Sequence, residues 1–301
     1  FYKDVNVSRL ADLTYLFGSY VITEATWIKK YLQDNYSINA FLVRNGINKD
    51  IYSEYLENRP INNGLFRILI EGPVDVEFKN VRKTIKICKA SNADEVWLLT
   101  SSNIKKIRGV DRVFSRIPYR DTPAIYSKCD LIVKLSLVEG MFGPPLEMFH
   151  CGGTAIVYDV SGFDEYIKHE HNALVVKTGD ESKVVEYINY LYSDRQSLHQ
   201  LQSNALKTAM EWRDWNQSSM EFIGVINKIL EMPSNKMSVK KSIERLLYLF
   251  KLDRMNVDQM SHMFARLKSY EMLMVLVLSV LIKIKKIIRD YSGGCRLYFG
   301  A

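Results

Sequence analysis

Ser136-Leu137-Val138-Glu139-Gly140-Met141-Phe142-Gly143-Pro144-Pro145-Leu146-Glu147-Met148-Phe149-His150-Cys151-Gly152-Gly153 decides how this chain is read. It follows Asp130-Leu131-Ile132-Val133-Lys134-Leu135, an apolar, β-branched run that predicts a buried strand. Gly140 and Gly143 permit tight turns and close approach of a ligand to backbone. Pro144 and Pro145 suit the first turn of a helix, where a missing N–H costs nothing. Leu146 to Cys151 continues it as a short buried helix, and Gly152 and Gly153 end it. The order strand, glycine loop, helix start presents amide N–H groups and the positive end of a helix dipole, which favour a phosphate or a sugar oxygen. Glu139 falls in the loop and Glu147 on the first turn of the helix. Ionised carboxylates accept strong hydrogen bonds from hydroxyls, on the order of 1.5–3 kcal/mol each. Two of them flanking a row of amide donors suit a ligand with vicinal diols at both ends and charge in the middle. A nucleotide sugar has that layout.

Outward from this stretch, strands alternate with helices. Strands are predicted at Phe66–Glu71, Glu95–Thr100, Asp111–Phe114, Asp130–Leu135, Thr154–Tyr158 and Ala173–Val176, and helices at Phe78–Ala90, Thr122–Lys128, Asp180–Tyr192, Asp194–Trp212 and Asn216–Leu230. That alternation implies a Rossmann-like, doubly wound parallel α/β sheet, whose ligands bind beyond the carboxyl ends of the strands. Before it, Tyr20–Thr23 reads as a strand, and Glu24–Tyr36 as a helix with Trp27, Ile28, Tyr31 and Leu32 on one face. Phe41–Asn48 reads as a strand running into an Asn45-Gly46 turn. The polar, turn-rich Glu57–Gly64 reads as a linker. The expected organisation is an incomplete N-terminal domain over residues 1–60, a ligand-binding domain over 61–231 and a helical basic tail over 232–301.

The pattern S-x-x-E-G-x-x-G-x-P-x-E-x-x-x-x-G resembles the E-x7-E signature of retaining glycosyltransferases of the GT-B fold, family 4, also called glycosyl transferases group 1; the likeness runs from about Tyr20 to about Leu230. It implies that Glu139 contacts the donor-sugar hydroxyls as the catalytic-site acid, and that Glu147 contacts the ribose diol. It further implies that backbone amides around Gly140, Met141, Phe142 and Gly143 face the sugar and diphosphate. Ser136 matches the family serine ahead of the first acid. Lys79 matches a family lysine that pairs with the diphosphate, whereas Pro73 stands where the family carries an arginine. That replacement implies a variant donor geometry, a substitute cation such as Arg82 or Arg67, or weakened activity. Glu165 matches a glutamate that supports the site, read here as a supporting or helix-capping residue. Ile117 and Pro118 fall where the family contacts the base through its backbone. No D-x-D metal motif stands at a strand end, so no metal and no cofactor beyond the donor is expected.

Composition limits the other classes. Residues from Asn235 to the end carry 13 Lys or Arg against 5 Asp or Glu, a surplus of +8, while the full chain is +7. The basic character belongs to the tail, so no nucleic-acid groove is expected across the globular part. Within the tail, Met272–Ile282 is apolar but for Ser279 and is followed by Lys283, Lys285, Lys286 and Arg289. That run is too short to span a bilayer. Segment 270–290 reads either as a basic amphipathic helix on a membrane surface or as a partner-packing helix with a solvated end. Cys88, Cys129, Cys151 and Cys295 show no paired spacing and read as buried thiols of a cytoplasmic protein. His169 and His171 read as loop residues, His150 as helix packing and Tyr126 as core.

The functional expectation is transfer of a sugar from a nucleotide sugar to a glycan or lipid-linked acceptor in surface polysaccharide synthesis, in the cytoplasm or at the inner face of the cell membrane. Because the chain starts at Phe1 and only a short segment precedes the linker, it is expected to be a fragment that binds donor and turns over poorly. The alternative is a non-catalytic, glycosyltransferase-like module that scaffolds a membrane glycan assembly through the basic tail. A nicotinamide oxidoreductase would need G-x-G-x-x-G after the first strand, and Glu71-Gly72-Pro73-Val74-Asp75-Val76 does not supply it.

Overall fold

β-Branched and leucine-rich runs, apolar on both faces, can only be satisfied where helices cover both sides of a sheet. The inner strands of a six-stranded sheet do so here, while the edge strand Arg112–Ser115 stays exposed to half-buried. The computed structural model describes Tyr15, residues 20–52 and residues 64–232, and Tyr20–Pro233 forms one compact unit. The linker up to Asn63, the first residues of the chain, the tail from residue 233 and its segment 270–290 lie outside the described residues, as does Cys295.

In chain order the elements are β1 (Ile22–Thr23), α1 (Thr26–Tyr36), β2 (Phe41–Leu42), β3 (Arg67–Glu71), α2 (Val81–Lys89), β4 (Glu95–Thr100), β5 (Arg112–Ser115), α3 (Pro123–Tyr126), β6 (Leu131–Lys134), α4 (Gly143–His150), β7 (Thr154–Tyr158), β8 (Leu174–Val176), α5 (Glu181–Ser193), α6 (Arg195–Glu211) and α7 (Trp215–Glu231). The main sheet is parallel, in the order β5-β4-β3-β6-β7-β8. The expected doubly wound α/β class is what the chain adopts. The strand order reverses between β3 and β6, and in open parallel sheets the ligand crevice lies at the carboxyl ends of such a pair. Ile68, Leu69, Leu131, Ile132, Ala155 and Ile156 are buried at the centre of the sheet.

Helix starts follow local chemistry. Asp180, Asp194 and Asp214 cap α5, α6 and α7 by accepting from the amides of Lys183, Ser197 and Gln217. Each such cap stabilises its helix by about 1 kcal/mol.

Four expectations are corrected. The helix expected from Phe78 begins as a 3₁₀ turn, Glu77–Lys79, and turns α-helical only at Val81, because Asn80 adopts a left-handed φ of 56°. The strand expected over Phe41–Asn48 stops at Leu42. The next carbonyls go to side chains rather than to a strand: Arg44 accepts from Ser218 at 2.8 Å and Asn45 from the Trp212 indole at 2.9 Å. Gly46, expected as a turn residue, lacks a positive φ; it lets the chain pass against the Asp214 backbone, where a Cβ would collide, and Ile47 bridges to Asp214. Tyr31, expected on the apolar face of α1, is 40% exposed and packs on Tyr36 instead, while Leu32 is buried.

Candidate functional site

The crevice floor is a cross-strand ion pair. β3 and β6 pair Ile68 with Leu131 and Leu69 with Ile132; two places further along, Glu71 comes opposite Lys134. The Lys134 ammonium donates to Glu71 Oε2 at 2.8 Å and lies 3.4 Å from the Glu71 carbonyl. Lys134 also reaches Glu139 Oε1 at 3.6 Å, and its side chain is only 2% exposed. Burial works against the ammonium, and the carboxylates of Glu71 and Glu139 outweigh it, so the Lys134 pKa lies above the usual lysine value.

Glu139 sits above this floor in the loop after β6. Lys79 donates to both of its oxygens, each at 2.8 Å. The turn that carries Lys79 is stitched to the end of β6. Asn80 donates through its side chain to the Leu135 carbonyl at 3.0 Å, and the Leu137 amide donates to Phe78 at 2.8 Å. Lys79 therefore belongs to this 3₁₀ turn and not to the body of the following helix.

Glu147 has different company. α4 begins at Gly143, so Glu147 comes a full turn in rather than on the first turn. The Tyr126 hydroxyl donates to Glu147 Oε2 at 2.8 Å. Burial lifts the Glu147 carboxyl to about 7; the Tyr126 hydroxyl pulls it down, the Glu71 carboxylate pushes it up, and the Tyr52 hydroxyl and the Lys134 ammonium lower it. Burial, then Glu147, raises the Tyr126 phenol well above its normal value. The Glu71–Lys134 pair thus acts on both Glu139 and Glu147, and the two acids share one electrostatic setting.

Between them, the loop is fixed by its carbonyls. The Trp27 indole donates to the Gly140 carbonyl at 2.8 Å, Ser161 donates to that of Glu139 at 3.3 Å, and the Tyr166 hydroxyl donates to that of Phe142. Among the described residues, the amides of Gly140, Met141, Phe142 and Gly143 have no protein acceptor. The tight-turn role expected of Gly140 and Gly143 is not found, since neither has a positive φ. Gly140 lies against the Glu24 side chain: a Cβ there would stand 2.5 Å from Glu24 Oε1, the movable end of that side chain. At Gly143 the same direction is open. The Phe142 side chain is buried, so only its backbone is available to a ligand; Met141 is half-buried against the core. Ser136 is fully buried, and its hydroxyl has no partner among the described residues.

Glu165 receives the Thr26 amide at the start of α1, the Thr26 hydroxyl at 3.1 Å and the Arg44 guanidinium at 2.8 Å. It joins the residues 20–52 segment to the loop after β7. Arg67 cannot stand in for the missing arginine: it opens β3 at the far end of the sheet, bonds to Glu95 at 2.6 Å and stacks on Trp97. Arg82 is exposed on α2. His150 is buried in α4 beside Tyr52, and burial drops its pKa to about 4. His169 accepts from the Val175 amide through Nδ1. Among the described residues no group of three or more His, Cys, Asp and Glu could hold a metal ion, and no helix is long and apolar enough to cross a membrane.

Sequence reasoning missed Lys134, Glu71 and the Tyr126 hydroxyl. A signal existed for the first: a lysine inside a buried apolar strand must meet a carboxylate. Its partner is visible only when β3 and β6 are known to be neighbours.

Residues 94–208 match the family model described as Glycosyl transferases group 1; the match contains Lys134, Glu139, Glu147 and Glu165 but neither Glu71 nor Lys79. Sucrose-phosphate synthase from Thermosynechococcus elongatus superposes with a TM-score of 0.63 at 15% identity, over 76% of this chain and 63% of that one. A glycosyltransferase from Rickettsia africae gives 0.61 at 17% identity, over 77% and 69%. Anabaena HepE in complex with UDP-glucose gives 0.63 at 15% identity, over 75% and 68%. At these identities the likeness shows the fold, which is that of GT-B glycosyltransferases. The chain spans less than two thirds of the synthase's length. No curated protein matches the chain.

Proposed function

We propose that this chain carries the donor-binding half of a retaining, family 4 glycosyltransferase and holds a nucleotide sugar across the β3–β6 crevice. Glu139 takes the sugar hydroxyls and Glu147 the ribose diol, with Lys79 and the amides of Gly140 to Gly143 on the diphosphate. Ser136 lines the loop, and Glu165 steadies it through Thr26 and Arg44. The observation that carries the proposal is the pair of acids at the switch point, linked by one buried ion pair and separated by a row of amides without protein acceptors. HepE, of the same fold, is described in complex with UDP-glucose.

The protein's part in such a transfer is positioning and charge stabilisation. Lys79 and the helix start would meet the charge that grows on the departing diphosphate, without a resident metal. The diphosphate would assist deprotonation of the acceptor, so no separate side-chain base is needed. By the same resemblance the transferred group is a hexosyl or deoxyhexosyl unit and the acceptor a glycan or lipid-linked sugar of surface polysaccharide synthesis. The work would be done in the cytoplasm or at the inner membrane face, with segment 270–290 as the membrane contact.

Calorimetry with a panel of nucleotide sugars tests this on wild type, Glu139→Ala and Glu147→Ala. Wild type is expected to bind at least one of them, and each variant to lose about tenfold or more in affinity. Pro73, in place of the family arginine, favours the scaffold alternative. A folded wild-type chain that binds none of the panel would overturn the donor-binding reading and favour that alternative.

A further inference from the structure

Four charges alternate along the crevice: Glu71, Lys134, Glu139, Lys79. As they stand, two carboxylates are balanced by two ammonium groups. Lys79 spends both of its short contacts on Glu139, at 2.8 Å each. An incoming diphosphate competes for that ammonium, and Lys79, whose side chain is 22% exposed, stands where it can turn to it. Glu139 then loses its nearest cation just as anionic oxygens arrive. Glu71 and Glu139 together would oppose the ligand, unless a second cation stays in place.

We infer that Lys134 is a positioning residue for the sugar end of the donor, holding the Glu139 carboxylate aimed and charge-balanced once Lys79 has moved to the diphosphate; this rests on the donor-binding proposal above. Lys134 does not replace the missing arginine at the diphosphate itself. Its ammonium lies under Glu139 on β6, is shielded from solvent and is anchored by two oxygens of Glu71. Sequestered in this way, it acts on the donor through Glu139. An ordinary structural ion pair would need only Glu71; the approach to Glu139 at 3.6 Å couples that pair to the site. Burying an ammonium is costly unless it is fully paired, so the pair holds Lys134 fixed while Lys79 exchanges partners.

The test separates sugar from diphosphate. Calorimetry on the full chain compares UDP-glucose with UDP, and GDP-mannose with GDP, for wild type, Lys134→Met and the pair Glu71→Gln with Lys134→Met. Lys134→Met is expected to weaken the nucleotide sugar about tenfold or more, and the free nucleoside diphosphate by less than about threefold. The double variant leaves no single buried charge beside β3, should melt closer to wild type, and should keep the sugar-selective loss; it supplies the measurement where the single variant does not fold. Equal losses from both members of a pair assign Lys134 to the diphosphate or to the fold and overturn the inference. Unchanged affinities overturn it as well. A wild-type chain that binds neither pair fails one step earlier, at the donor-binding proposal, before any variant is compared.

Discussion

Glu139 and Glu147 belong to one continuous loop and helix, yet Glu139 faces two ammonium groups and Glu147 a phenol. Glu139 is held from both sides by Lys79 and Lys134 and is aimed by charge. Glu147 is held by the Tyr126 hydroxyl, and burial lifts its carboxyl to about 7. The same side chain therefore meets a cation on either side at one end of the crevice and is a group poised to change charge near neutrality at the other. What differs is the partner each finds on other elements: an ammonium from the turn after β3 and another from β6, against a hydroxyl from α3. One motif can carry two acids with distinct duties because each acid's partners are set by what packs against it, and at Glu147 that packing also governs the proton.

Three changes would break or sharpen this contrast. The largest effect belongs to Lys79→Met, which removes the cation that bonds both oxygens of Glu139. Donor affinity is expected to fall about a hundredfold, measured by calorimetry, and the residual binding should depend less on salt than that of wild type. A loss no greater than that from removing an exposed lysine would take Lys79 out of the crevice's charge balance.

Glu147→Gln comes next, and its sign follows from the raised carboxyl. The folded chain binds this proton more firmly than the unfolded chain, whose carboxyl titrates near 4.5. The resulting stability is complete below that value and is lost as pH rises through about 7. The amide has no proton to lose, so near pH 8 the variant should be more stable than wild type by roughly 3 kcal/mol. Near pH 4 the two should agree. Urea unfolding at both pH values checks this, and a gap of the same size at each would remove the difference between the two acids. In wild type, donor affinity is expected to rise as Glu147 ionises through about pH 7, and the same variant should lose that rise.

Tyr126→Phe is the smallest. It deletes one hydroxyl donor to Glu147 and should cost about 1 kcal/mol of donor binding at neutral pH. Because that hydroxyl lowers the Glu147 pKa, the pH at which affinity rises should move upward. A binding curve whose midpoint does not shift would mean that Tyr126 serves only as core.

Much of the fold is legible in the order of the residues. Apolar runs locate β3, β4, β6, β7 and β8 to within a residue or two, since burial in a parallel sheet demands continuous apolar side chains, and the half-buried edge strand β5 is located by its Val113-Phe114 pair. Aspartates before α5, α6 and α7 mark their starts, because a carboxylate next to the first free amides is a local event. The site is less legible. Tyr126 reads as core, and its ring is buried, but its hydroxyl serves Glu147. Gly46 reads as a turn and is instead a contact with Asp214, a residue far along the chain.

The sequence by itself determined the alternation of strands and helices, the parallel sheet that follows from it, and the presence of two acids around a glycine loop, because these depend on residues close together in the chain. The tertiary structure decided which cation meets which acid. Only strand order sets β3 beside β6, and only that contact joins Glu71 to Lys134 and, through Lys134, to Glu139. Charge interactions depend on distance in space and on the water excluded around them, and neither quantity is written in the spacing of residues along the chain.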